Sequence, residues 1–128
     1  MEFKQITREE LKKKMDEQED FALIDTLGEG SYQNIHLPGA LMIDAHKEDF
    51  VQRVLETVPD KSKEVIVYCA SFSCQLSPKA ARMLADAGYA SVFDFKGGLK
   101  DWAQAGYPFE GEKVEETKER LMQAENKK

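Results

Sequence analysis

The sequence predicts an α/β domain built on a mainly parallel sheet, and three observations carry that prediction. Short runs rich in β-branched and aromatic residues recur along the chain, among them Phe21 to Asp25 and Val65 to Tyr68. These runs are too apolar to alternate in polarity, which is how strands covered on both faces read. Between them lie segments whose apolar residues recur at helical spacing, and that alternation favours crossover connections over hairpins.

Each element has its own local reason. Thr7 and Glu10 stand at capping-box spacing, and Leu11 and Met15 then give a short amphipathic helix ending near Glu17. Phe21-Ala22-Leu23-Ile24-Asp25 reads as a strand closed by Asp25, and Gly28-Glu29-Gly30-Ser31 as a loop. Leu37-Pro38-Gly39-Ala40 reads as a turn, followed by a short strand at Leu41-Met42-Ile43. Phe50, Val51, Val54, Leu55 and Val58 share a helical period, and Pro59 stops it. Val65 to Tyr68 is the next strand. Ser77 is read as a helix N-cap with Pro78 at the first helical position, and Gly88 as the residue that stops that helix after Ala87. Ser91 to Phe95 is a fourth strand, Gly97-Gly98 a tight turn, and Leu99 to Ala105 a short helix carrying Trp102. Glu110 to Lys128 is a charged tail, read as either a solvated helix or a frayed segment.

Composition excludes several classes of function. The 128 residues suffice for one domain with a core. A net charge of −6 argues against a nucleic-acid partner. No apolar run reaches membrane-spanning length, so no membrane partner is expected. The start, Met1-Glu2-Phe3-Lys4, has no signal-peptide pattern, and the expected location is cytoplasmic. Two cysteines and two scattered histidines are too few for a tetrahedral zinc site, so neither a metal nor another cofactor is expected. In a non-secreted chain they make no disulfide framework either.

The chemistry centres on Cys69. It follows a strand directly and precedes the loop Ala70-Ser71-Phe72-Ser73-Cys74-Gln75-Leu76-Ser77, which feeds the next helix. The carboxyl ends of parallel strands are where open α/β sheets hold ligands. Backbone N–H groups at a helix start favour anions and thiolates.

In this order the motifs resemble the single-domain rhodanese-like family of sulfurtransferases. Leu23-Ile24-Asp25 resembles its strand ending in Asp, and His36-Leu37-Pro38-Gly39-Ala40 its histidine–proline–glycine turn. Val65-Ile66-Val67-Tyr68-Cys69 resembles its strand into the reactive cysteine, and Ala80-Ala81-Arg82-Met83-Leu84 through Gly88-Tyr89 the helix after it. Gly97-Gly98-Leu99-Lys100-Asp101-Trp102 with Gly106-Tyr107-Pro108 resembles its closing signature. The resemblance implies a three-layer sandwich around a five-stranded, mainly parallel sheet. It places the domain at residues 1–109 and the charged tail at 110–128. It also implies sulfur transfer through a cysteine persulfide, from a small anionic or persulfide donor to a thiol or protein acceptor. The chain departs from the family at three places. Leu27 stands where the family usually has Arg after the strand Asp. Phe72 and Cys74 stand where the common loop has Gly and Arg. Seven residues separate Cys69 from Ser77, a longer stretch than the common loop has. The longer loop resembles the related phosphatase and arsenate-reductase branch, which itself needs the absent Arg.

Each candidate residue has a reactive and a structural reading. Cys69 is expected to be the nucleophile, against the alternative of a buried structural cysteine. Cys74 is either a second thiol that resolves or protects the first, or a loop-apex bystander; the reverse assignment makes it the main nucleophile. Asp25 ends a strand at the same sheet edge, where it either orders the loop by hydrogen bonds or caps a turn. Lys79 and Arg82 either draw anions to the loop or form a solvated face. His36, Trp102 and Tyr107 read as packing residues, and Phe72 as an apolar wall or ordinary packing. The expected function is a sulfurtransferase or persulfide carrier. Its rivals are a non-catalytic module binding an anion or a protein, and a thiol redox enzyme using Cys69 and Cys74.

Overall fold

The computed structural model describes residues 2–125. Five strands form one sheet, β1 (Lys4–Gln5), β2 (Phe21–Asp25), β3 (Leu41–Met42), β4 (Glu64–Tyr68) and β5 (Val92–Phe95). Among the described residues six helices connect or follow them: α1 (Arg8–Asp16), α2 (Glu29–Asn34), α3 (Phe50–Thr57), α4 (Leu76–Asp86), α5 (Gly98–Gln104) and α6 (Val114–Glu125). The strand order is β1-β5-β4-β2-β3, and every pairing is parallel. The predicted α/β class with a five-stranded parallel sheet is therefore the observed one.

Strand periodicity divides the core into two layers. Successive side chains point to opposite faces of a sheet. Val65 and Val67 of β4 accordingly pack with Phe50 and Val54 of α3 and Ala80, Ala81 and Leu84 of α4. Ile66 and Tyr68 pack on the other face with Leu11 of α1 and Leu99 and Trp102 of α5. Both faces of β4 are buried from Val65 to Tyr68, which is why those residues read as an unbroken apolar run.

Helix ends largely follow their local chemistry. Thr7 caps α1 in a reciprocal capping box with Glu10, at 3.1 and 2.9 Å. Such a cap is worth about 1 kcal/mol. Three elements differ from the sequence reading. Residues 28–31 are not all loop, because α2 begins at Glu29 after Gly28 at φ 118°. A hexamer containing Gly30, Ser31 and Asn34 has little helical propensity, and it is held by Tyr32, whose hydroxyl donates to the Ala40 carbonyl at 2.7 Å. β1 is two exposed residues, too short to leave a pattern, and exists by pairing with β5. Ser77 is not an N-cap: α4 starts two residues earlier than expected, at Leu76, with Gln75 in the cap position and no side-chain cap bond.

The C-terminal segment is a helix over Val114–Glu125, and its approach is tied to α2. Glu112 and Lys113 donate backbone N–H bonds to the Gln33 and Asn34 carbonyls at 2.8 and 3.0 Å. Val114 and Leu121 pack against the core layer that holds Trp102. Trp102 itself is buried, with Nε1 donating to the Pro108 carbonyl at 2.8 Å. Among the described residues no helix is long and apolar enough to cross a membrane.

Candidate active site

Cys69 follows β4 at its carboxyl end. By the strand's alternation it continues the Val65–Val67 face, towards α4. The thiol position is wholly buried, at 0% exposure. The Ser77 backbone N–H donates to Cys69 Sγ at 3.4 Å, and Ser77 Oγ lies 3.4 Å from the same sulfur. Ser77 is thus part of the site through both its amide and its hydroxyl. A helix-start N–H directed at sulfur favours the thiolate.

The second partner of Ser77 is Asp94. Its carboxylate accepts the Ser77 hydroxyl at 2.6 Å. Asp94 lies in register with Val67 across the β4–β5 ladder. It therefore shares the face of Val67 and Cys69. It is wholly buried, and its Oδ2 has no hydrogen-bond partner among the described residues. Burial raises the Asp94 carboxyl above its ordinary pKa, against the Ser77 hydrogen bond and the attraction of Lys96. Sequence reading missed Asp94. The signal was a lone acid inside the apolar run Val92-Phe93-Asp94-Phe95, two residues after a core position.

Cys69 and Cys74 form a disulfide, with Cα atoms 6.6 Å apart. That separation is within the usual disulfide span. The intervening loop is folded back by a bond from the Cys74 N–H to the Ser71 carbonyl at 3.0 Å. The Ser71 and Ser73 hydroxyls lie 3.2 Å apart, in hydrogen-bond contact. Ala70 is held from the other side, because the Lys100 N–H donates to its carbonyl at 2.9 Å. The Leu99 N–H likewise binds the Cys69 carbonyl at 3.0 Å. This close approach requires Gly98, which sits at φ 63°, and a Cβ there would collide with the Cys69 carbonyl. Gln75 and Leu76 end the loop at the start of α4, and Gln75 stays exposed.

Phe72 projects at the loop apex, 61% exposed. It walls a groove of about 300 Å³ whose other side carries Arg8, Lys96 and Asp101. Arg8 is already paired with Asp101 at 3.1 Å.

The remaining predicted residues lie elsewhere. Asp25 is in register with Tyr68, so it faces the opposite layer from Cys69. It accepts from the Tyr68 hydroxyl and the Leu27 N–H, both at 2.9 Å. Burial raises its carboxyl above the ordinary value, and the Leu27, Tyr68 and His36 interactions pull it down. Asp25 therefore caps its own turn and anchors Tyr68, without touching the loop sulfurs. Lys79 and Arg82 are exposed on α4, and Arg82 stacks over the Phe3 ring at 5.1 Å. His36 packs against Tyr32, with ring centroids 3.8 Å apart. Among the described residues no cluster of His, Cys, Asp and Glu could hold a metal ion.

Comparison with known proteins places this geometry in context. The rhodanese-like domain model matches residues 7–105. A sulfurtransferase of Allochromatium vinosum is 28% identical over 104 residues, covering 81% of this chain and 92% of that protein. An HTH-type transcriptional regulator of Mycobacterium tuberculosis is 32% identical over 103 residues, covering 80% of this chain. This chain spans 43% of that regulator's length. The solution structure of a rhodanese-like domain from Anabaena superposes with a TM-score of 0.76 at 30% identity, covering 89% of this chain and 83% of that one.

Proposed function

Because the chain belongs to the rhodanese-like domain family, we propose that it is a sulfurtransferase carrying sulfane sulfur as a persulfide on Cys69. The observation that carries this reading is the setting of the sulfur: buried at the carboxyl end of β4, with the Ser77 N–H directed at it. A thiolate held there is a prepared nucleophile.

The cycle begins with reduction of the Cys69–Cys74 disulfide by a thiol, which supplies two electrons and two protons. In the cytoplasm, our proposed location, such reductants are abundant. The Cys69 thiolate then attacks the outer sulfur of a persulfide donor, forming Cys69–S–SH and releasing the donor as its thiolate. An acceptor thiolate, small or on a protein, takes the outer sulfur and regenerates the Cys69 thiolate. Alternatively the Cys74 thiolate attacks the inner sulfur, which closes the disulfide and expels hydrosulfide. In this scheme Cys74 is a resolving thiol.

Intact-mass measurement after reduction and incubation with a low-molecular-weight persulfide tests the proposal, on the native chain and on Cys74→Ser, in which no second thiol can discharge the persulfide. The expected product is heavier by one sulfur atom, with the addition mapped to Cys69. The disulfide favours a second reading, a thiol oxidoreductase without sulfur transfer. In that case the mass never exceeds that of the reduced chain, and only the loss of two hydrogens is seen.

A further inference from the structure

We propose that Asp94, acting through the Ser77 hydroxyl, accepts the proton of the Cys69 thiol in the reduced chain. The inference rests on the reading of Cys69 as the reactive sulfur. Three buried side chains from three elements are linked through the Ser77 hydroxyl: Cys69 after β4, Ser77 on α4 and Asp94 on β5. The links are 3.4 Å from Cys69 Sγ to Ser77 Oγ and 2.6 Å from Ser77 Oγ to Asp94 Oδ1.

A purely structural role does not account for a carboxylate here. Holding the Ser77 hydroxyl needs one neutral acceptor, which an amide supplies without a charge. The chain instead keeps an ionisable group at 0% exposure with one oxygen unpartnered among the described residues. Leaving a buried polar atom unpaired is costly. A titratable group in that state next to a reactive thiol is where proton chemistry is expected.

The transfer balances within the three groups. In the resting reduced state the Cys69 S–H donates to Ser77 Oγ, and the Ser77 O–H donates to Asp94. The S–H bond breaks as its proton moves to Ser77 Oγ, while the hydroxyl's own proton moves to Asp94 Oδ1. The products are the Cys69 thiolate, now accepting from Ser77, and a neutral Asp94 carboxylic acid that donates to Ser77. No net charge is created in the buried space. On its other sides Asp94 faces Gln5 of β1 and Val67 of β4, and the charged group that bears on it is Lys96. Burial already favours the proton on Asp94.

Cys69 and Asp94 then titrate as a pair sharing one proton, and a pair of this kind ionises in two macroscopic steps. The experiment measures the rate of Cys69 alkylation by iodoacetamide across pH in full-length Cys74→Ser protein, with Asp94→Asn and Ser77→Ala added singly. With Asp94 and Ser77 present, the profile should rise in two steps. The lower step comes from thiolate formed at the expense of Asp94. Both added variants should lose the lower step and titrate once. Infrared spectra of the reduced chain without a site substitution give an independent reading, in which a carboxylic-acid band should be present between the two steps, where the shared proton has moved to Asp94, and should disappear on Cys69 alkylation under conditions that let Asp94 reionise. Superimposable profiles in all three proteins overturn the proposal, and so does a uniform displacement along the pH axis with no change of shape. Two-step alkylation in protein that takes up no sulfur would keep the relay and remove the sulfurtransferase reading. Sulfur uptake with a one-step profile would do the reverse.

Discussion

Cys69 and Asp25 lie at the same edge of the sheet but face opposite layers, because Asp25 is in register with Tyr68 rather than with the cysteine after it. The acid on the cysteine's own face is Asp94, which reaches it through Ser77. One edge of the sheet therefore carries two buried acids with separate partners: Asp25 holds Tyr68 and a turn, and Asp94 holds the Ser77 hydroxyl that lies beside the Cys69 sulfur.

Cys69→Ser should abolish sulfur loading while leaving the fold intact, since Cys69 adds little apolar contact that a serine of similar size does not replace. Cys74→Ser should still load sulfur on Cys69. Loading that survives in Cys69→Ser and vanishes in Cys74→Ser would reverse the assignment of the two thiols.

Donor charge should matter in an unusual direction. Leu27 is packed against the core layer of Trp102, and Cys74 is taken up in the disulfide, so neither position presents the cation that would balance a dianion. The kcat/KM for thiosulfate should fall below that for a singly charged persulfide by about tenfold or more, the consequence of losing about 1.4 kcal/mol of charge stabilisation. A clear preference for thiosulfate would sink this expectation.

The disulfide should act as a block on loading. Oxidised protein offered a persulfide without reductant should gain no sulfur, and peptide mapping should recover the Cys69–Cys74 pair. Addition of a thiol should restore uptake, whereas Cys74→Ser should need none. Recovery of sulfinic Cys69 beside a free Cys74 thiol after mild oxidation would separate the two sulfurs.

Gly98→Ala tests the seam between α5 and the end of β4. The left-handed backbone costs a non-glycine residue about 1–2 kcal/mol, and the added Cβ collides with the Cys69 carbonyl. Denaturant unfolding should show at least that loss, together with slower Cys69 alkylation from displacement of the sulfur. Unchanged stability would mean that the two segments do not meet as closely as described.

Asp94 should carry a stability cost that depends on pH. Its native pKa is raised by burial, so the native state binds the proton more tightly than the unfolded chain. The associated stability is present below the ordinary carboxylate value and is lost as pH rises through the native value. Asp94→Asn escapes that loss. It should match the parent at acid pH and exceed it near neutrality by about 1 kcal/mol, the scale of an unpaired buried polar group. The difference between parallel denaturant melts at the two pH values is the measurement, and a variant less stable at neutral pH than at acid pH, relative to the parent, counts against it. A gain in stability with a loss of the two-step alkylation profile is the expected trade at a working site.

The sequence by itself determined the α/β class, the strand into Cys69, the capping box at Thr7 and the helix that ends before Gly88. Each of these is written in spacing and local chemistry within a few residues. It also placed two thiols five residues apart on one loop, close enough to pair once the loop curved. Tertiary structure decided which side chains meet. Ser77 looks like an N-cap beside Pro78, yet α4 begins at Leu76 and turns that hydroxyl to a carboxylate seventeen residues away. Asp94 reaches the site only because β5 pairs with β4 in the register that sets it beside Val67, and a slip of one residue would send it to the other layer. Local periodicity says which face of a strand a residue is on. Only the ladder between strands, fixed by the packing of both core layers, says what it faces.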